Sequence, residues 1–213
     1  MAAKAEIKKR ISEIIRRLRS AYPEATCSLT YKSPHELLVS TILSAQCTDK
    51  RVNQVTPGLF LKYRSVIDFA EANETELAQD IHSCGYHNQK ARAIKRSSQI
   101  ICEDYRGEVP NTLEELVKLP GVGRKTANCV LGTAFGIPSV VIDTHMIRIM
   151  NLLQFTQSRS PEKIEQDIML IAQKDAWINL THLIIEHGRA ICISRRPRCG
   201  DCLINDLCPS SKY

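Results

Sequence analysis

Apolar residues recur every three or four positions along most of this chain, the spacing of one buried helix face. At the amino end Ile7, Ile11, Ile14, Ile15 and Leu18 form one stripe with mostly basic side chains between them, which predicts a basic amphipathic helix over residues 5 to 20. Ser33-Pro34-His35-Glu36 supplies an N-cap, a proline at the first helical position and a glutamate that can reach back, so a helix opens there and runs through LLVSTILSA. Asn73 with Glu76 and Thr112 with Glu115 repeat that cap, and Ser160-Pro161 starts another helix. Gly85, Gly107 and Gly188 read as stops or bends. Only SVVI at 139 to 142 looks strand-like, and it is short. The pattern predicts an all-α chain, without low-complexity segments or a repeat of solenoid period.

A length of 213 residues fits one large domain or two small ones. Hydrophobic residues make up 43% of the chain, enough to bury a core and too many for a disordered protein. No apolar run is long enough for a membrane span, and MAAKAEIKKR has no apolar stretch behind it for a signal peptide, so a soluble, intracellular protein is expected. The net charge of +6 lies at the two ends. Residues 1 to 20 hold seven basic side chains, Lys4 among them, against two acidic ones, and residues 187 to 213 hold five against two. Two basic ends around a nearly neutral middle suit one surface facing a polyanion, or simply solvated helix faces. No linker rich in Gly, Pro or Ser divides the chain. If the basic ends meet, the division is discontinuous: residues 26 to 137 form a central domain, and residues 1 to 25 with 138 to 213 form a second.

The nine cysteines fall into two sets. Cys27, Cys47, Cys84, Cys102 and Cys129 are scattered among apolar neighbours and read as reduced core thiols. Cys192, Cys199, Cys202 and Cys208 are separated by six, two and five residues, and Pro209 follows the last. Four thiolates from one short segment can hold an iron-sulfur cluster or a tetrahedral zinc. The single CxxC with wider outer spacings favours the cluster over zinc, and free thiols remain a third reading. Anchoring the quartet would also fix Arg195, Arg196 and Arg198 in the intervening loop, a rigid basic segment suited to phosphate.

Residues 112 to 135 read as a capped helix, then Leu119-Pro120-Gly121-Val122-Gly123, then Arg124-Lys125-Thr126-Ala127 leading a second helix. The two glycines permit unusual backbone and let a phosphate approach the main-chain N–H groups at the second helix's positive end. This is a helix-hairpin-helix clamp for DNA phosphates, or else an ordinary helix connection. Lys125 sits where positive potential and partial desolvation would favour its free amine, which fits either a nucleophile or a phosphate-binding lysine. Asp143 ends an apolar run and reads as the N-cap of the next helix.

Together the LPGVGRKTA hairpin, VIDTH at 141 to 145, LSAQCTD at 43 to 49 and the cysteine quartet resemble the endonuclease III family of iron-sulfur DNA glycosylases and abasic-site lyases. The resemblance spans essentially the whole chain. It implies a helix-hairpin-helix glycosylase fold of two helical domains with a DNA-binding cleft between them, the central one of six helices. It further implies a [4Fe-4S] cluster on Cys192, Cys199, Cys202 and Cys208, and a monomer acting on double-stranded DNA that contains a damaged base or abasic site, with no membrane partner. The expected activity is removal of oxidised pyrimidines followed by β-elimination, with Lys125 as Schiff-base nucleophile and Asp143 as essential carboxylate. Leu119, Gly121, Val122, Gly123, Arg124 and the three loop arginines become DNA contacts. Gln46 takes the place of a wedge residue, and Tyr86 stands where relatives often carry an aliphatic residue that enters the duplex. Within the fold, an adenine-specific mismatch glycosylase and a pyrimidine-dimer enzyme are the rivals, and Lys125 and the absence of chain after Tyr213 argue against the former. Outside enzymes, a metal-stabilised DNA-binding module is the rival reading.

Overall fold

A computed structural model describes residues 2 to 212, with side chains from Ala5 onward, so the side chain of Lys4 lies outside the described residues. The described residues contain helices and turns without strands, in agreement with the spacing of apolar positions. They divide into two compact units, one of Cys27–Ile137 and one joining the residues up to Thr26 with those from Pro138.

The continuous unit is built round a helix that is buried on every side. This is α2 (Pro34–Leu43), in which His35 and every residue from Leu37 to Leu43 are buried. Ser33 starts it by accepting a hydrogen bond from the Glu36 N–H at 3.2 Å, while the Glu36 carboxylate accepts from the Lys32 N–H at 2.6 Å. The amino-terminal helix of the other unit is α1 (Ala2–Ala21), so the series continues with α3 (Asp49–Lys62), α4 (Val66–Glu71), α5 (Glu74–Asp80), α6 (His87–Tyr105), α7 (Leu113–Leu116) and α8 (Arg124–Phe135). Side chains of Ser65 and Asn73 cap α4 and α5. The helix expected before the hairpin shrinks to the single turn α7. Leu119 precedes Pro120, and a residue before proline is driven out of helical geometry.

In the second unit α1 packs with α10 (Pro161–Ile171) and α11 (Trp177–Ala190), and both of these pack with α9 (Thr144–Leu152). The predicted stripe is the buried one: Ile11, Ile14, Ile15 and Leu18 join Met146, Ile149, Ile164, Ile168, Leu180 and Ile184 in one core. The SVVI segment is extended without strand pairing; the Val141 N–H instead donates to Thr181 Oγ1 of α11 at 3.2 Å. Gly188 is neither stop nor bend. It lies inside α11, where a Cβ would land on His145 Nδ1 and come within 3.1 Å of Ile149 Cδ1, so its lack of a side chain is what lets α9 and α11 approach.

His35 carries a consequence for acid stability. Its Nε2 lies 2.9 Å from Ser98 Oγ, and that hydroxyl donates its proton to the Ile94 carbonyl, which assigns the Nε2–H tautomer to the imidazole. Packed also against Phe69, the ring is held neutral by burial, with its pKa pushed down to about 4. An unfolded histidine titrates near 6.5, so the unfolded chain binds the extra proton first as pH falls. The stability tied to neutral His35 is complete above pH about 6.5 and is lost progressively toward pH about 4. Melting temperatures of wild type and His35→Gln measured across that window should show a shallower acid decline for the variant; parallel curves would assign the acid lability elsewhere.

Candidate nucleic-acid interface and thiol cavity

The hairpin is assembled from close contacts rather than from its sequence alone. Gly121 takes φ +77°, and a Cβ placed on it would come within 2.8 Å of Ala93 Cβ on α6. Ser97, one turn further along α6, donates its hydroxyl to the Pro120 carbonyl at 2.7 Å. Gly123 differs from expectation: its φ of −88° is open to any residue, and it serves as the N-cap of α8 without a capping side chain. Leu119 and Val122 differ as well, being 2% and 6% exposed. Their side chains are core, and their N–H groups donate within the turn to Leu116 and Leu119 carbonyls at 3.1 Å. These two residues shape the turn, and the surface open to an anion is Gly121, Gly123 and the uncapped first turn of α8. Arg124 and Lys125 lie exposed on that turn, so burial within the chain does not desolvate Lys125 as expected.

Gln46 and Tyr86 are brought together. Both are exposed, both hold left-handed backbone at φ +54° and +49°, and both line one shallow cavity of about 250 Å³ with Ile42, Lys90, Ala93 and Gly121. Left-handed backbone in a non-glycine residue is strained and survives where surrounding structure imposes it. In the other unit Asp143 caps α9: its Oδ1 accepts from the Met146 N–H at 2.8 Å, and the residue stays half-buried.

Cys192, Cys199, Cys202 and Cys208 line a second cavity, of about 100 Å³, together with Ile149, His187 and Ile204. All four thiols are free and half-buried. Burial pushes the Cys192 and Cys202 thiols up, and Arg148 opposes this at Cys192. A zinc ion would draw four sulfurs to about 2.3 Å from one point. Among the described residues no three His, Cys, Asp or Glu side chains are gathered closely enough to hold one ion. A cluster that takes one thiolate per iron needs a wider ring, and the cavity is several times the roughly 10–15 Å³ that one water requires. The donor set therefore fits an iron-sulfur cluster better than a single metal ion.

Partners that the sequence did not announce hold this loop. Arg148 donates to the Cys192 carbonyl at 2.6 Å and to its Sγ at 3.4 Å. Arg17 donates to the Leu203 carbonyl at 2.9 Å and pairs with Asp206, and Arg10 donates to the Leu207 carbonyl at 3.1 Å. His187, 1% exposed, places Nε2 at 3.6 Å from Cys202 Sγ and Nδ1 at 3.2 Å from the Tyr22 hydroxyl. Part of the amino-terminal charge is thus internal scaffolding. The loop arginines also divide. All three are exposed, but only the Arg198 guanidinium is seen to bond the backbone, donating to the Ala190 carbonyl at the end of α11. Nor do the scattered cysteines only pack: a hydrogen bond with Cys129 draws the Cys27 thiol down to about 7, and the Cys47 and Cys84 thiols also interact.

Comparisons with known proteins agree across the chain. Residues 39–174 match the family described as HhH-GPD superfamily base excision DNA repair protein, and residues 192–208 match the iron-sulfur binding domain of endonuclease III. Endonuclease III of Synechocystis sp. is 47% identical over 209 residues, covering 98% of this chain and 95% of that one. Endonuclease III of Bacillus subtilis is 42% identical, covering 94% and 92%. A solved structure of a trapped endonuclease III–DNA covalent intermediate superposes with a TM-score of 0.90 at 41% identity, over 96% of this chain and 97% of that one. Among the described residues no helix is long and apolar enough to cross a membrane.

The hairpin geometry makes a direct prediction. Gly121→Ala must both accept a left-handed backbone and displace Ala93, so it should cost about 1–3 kcal/mol of stability in denaturant unfolding. Gly123→Ala, with open space at its Cβ and an ordinary φ, should cost only a few tenths of a kcal/mol or improve stability.

Proposed function

The chain belongs to the endonuclease III family, within the HhH-GPD superfamily of base-excision repair proteins, and on that premise we propose how its residues divide the work. Its activity is that of a bifunctional DNA glycosylase and abasic-site lyase acting on double-stranded DNA. It carries a [4Fe-4S] cluster. The observation that carries the assignment of roles is the uncapped amino end of α8, with Lys125 exposed in its first turn beside the Gly121 turn.

In this reading the N–H groups of Gly121, Gly123 and the first turn of α8 bind a DNA phosphate, which sets Lys125 against the sugar of the damaged nucleotide. Water leaves as the duplex docks, and that supplies the desolvation the free chain lacks. The neutral Lys125 amine attacks C1′; the bond to the oxidised pyrimidine breaks, and the base departs with its electron pair and takes a proton. Opening of the sugar ring leaves an imine between Nζ and C1′. The imine acidifies C2′; loss of that proton expels the 3′ phosphate by β-elimination, and hydrolysis then frees the lysine. Asp143 stabilises the positive charge that grows at C1′ and accepts the proton lost by the Lys125 ammonium. Its Oδ1 is engaged in the α9 cap, so Oδ2 is the oxygen assigned to this task. The cap and the catalytic role reinforce one another, because the Met146 N–H fixes the carboxylate's rotamer.

Cys192, Cys199, Cys202 and Cys208 would hold the iron-sulfur cluster, which stiffens the loop presenting Arg195 and Arg196 to phosphate. Gln46 and Tyr86 fill the space left by the extruded nucleotide, an extrusion costing roughly a few kcal/mol. We place the protein in the cytoplasm, supported by relatives that are base-excision repair enzymes of bacteria.

Borohydride added during reaction with a thymine-glycol duplex should trap a covalent protein–DNA adduct. Lys125→Ala should abolish it, and an undiminished adduct would remove Lys125 from the mechanism. Asp143→Asn should slow base removal by about 10²-fold or more while DNA affinity is retained; unchanged turnover would leave Asp143 as a cap alone. The loop arginines separate in a salt titration of DNA binding. Arg195→Gln and Arg196→Gln should each reduce the logarithmic salt slope by about one, whereas Arg198→Gln should leave the slope and lower the melting temperature.

A further inference from the structure

Lys90 has no part in the chemistry above, yet it occupies an unusual position. It sits in the first turn of α6 and is 6% exposed. Its ammonium donates to the Leu43 carbonyl at 2.7 Å and to the Cys84 carbonyl at 2.9 Å. Among the described residues it has no carboxylate partner, and burial lowers its pKa. A buried ammonium is expensive, and an unbranched apolar side chain of similar length would fill the same space without that cost. What the charge adds is a bond to two specific acceptors.

Those acceptors have something in common. Leu43 is the last residue of α2, whose carbonyl has no partner within the helix, and three residues later comes Gln46. Cys84 ends the 3₁₀ turn His82–Cys84, and two residues later comes Tyr86. One ammonium therefore grips the base of both exposed, left-handed residues, although they are 40 positions apart in sequence. Lys90 also lines the cavity between them.

We propose that Lys90 is a positioning residue that locks Gln46 and Tyr86 as one rigid pair for entry into the duplex. The proposal rests on the DNA-repair reading above, and it concerns only the step in which a nucleotide is turned out of a stacked helix. An abasic site in single-stranded DNA has no stack to enter and no opposite base to replace. Lys90 therefore matters for duplex substrates and not for single-stranded ones, a distinction that a merely structural lysine would not make.

The test is borohydride trapping and single-turnover cleavage by the full-length, cluster-loaded protein on an abasic site placed first in a duplex and then in the same strand unpaired. Lys90→Met should lose roughly 10- to 100-fold in duplex rate, with the single-stranded rate unchanged. It should also lose the fluorescence rise of a 2-aminopurine placed beside the site in the duplex. Lys90→Arg, which keeps charged donors, should recover most of both. Equal rates for Lys90→Met and wild type on the duplex, or equal losses on both substrates, would overturn the proposal. Should Lys90→Met fail to fold, Lys90→Gln replaces it: amide exchange should quicken around Gln46 or Tyr86 and not in α8, and no response in either loop would overturn it. A wild-type protein that traps neither substrate would instead overturn the repair reading itself.

Discussion

Each helix leaves unpaired N–H groups at its start and unpaired carbonyls at its end, and in this protein the treatment of those ends determines where chemistry can occur. Most starts are closed by a side chain: Ser33, Ser65, Asn73, Asp143 and Ser160 each accept from the first turn they precede. The start of α8 is capped by a glycine and kept open. Carbonyl ends are closed by cations, Lys90 at α2 and Arg198 at α11. The starts of α6 and α11 likewise lack a capping side chain, and what sets the start of α8 apart is the exposed Gly121 turn beside it and Lys125 standing on it.

The same distinction sorts the basic side chains. Arg10, Arg17 and Arg148 point inward to backbone carbonyls of the unit that contains the four cysteines, Arg198 reaches one from an exposed position, and Arg10 also stacks over the Phe155 ring at 4.4 Å. Lys8, Lys9, Arg16, Arg195 and Arg196 are exposed. Net charge therefore overstates what is available to DNA, because a guanidinium holding a loop in shape contributes to the field but not to a phosphate contact.

Local signals were legible in the sequence. Caps at Ser33, Asn73 and Thr112, the buried stripe of α1 and the cysteine spacing each depend on residues a few positions apart, and each is present. What escaped reading depends on packing between distant segments. Gly188 looked like a helix stop because its reason for being glycine is His145, more than forty residues earlier. Leu119 and Val122 looked like contacts because a motif does not say which side of a turn faces the core. Lys90 carries no local signature at all, since its two acceptors are carbonyls that any residue could supply.

The links between Arg10 and Leu207 and between Arg17 and Leu203 span 197 and 186 residues. On the ribosome the continuous Cys27–Ile137 unit has its whole sequence available while the cysteine segment is still unmade. The arginines of α1 find their acceptors only once residues 203 to 207 have been made. Until then its apolar stripe of Ile11, Ile14, Ile15 and Leu18 has no complete core to enter. Closure of the metal-binding loop is thereby tied to its pairing with α1, and a nascent chain ending before residue 203 would hold a finished hairpin and an exposed, unpartnered helix.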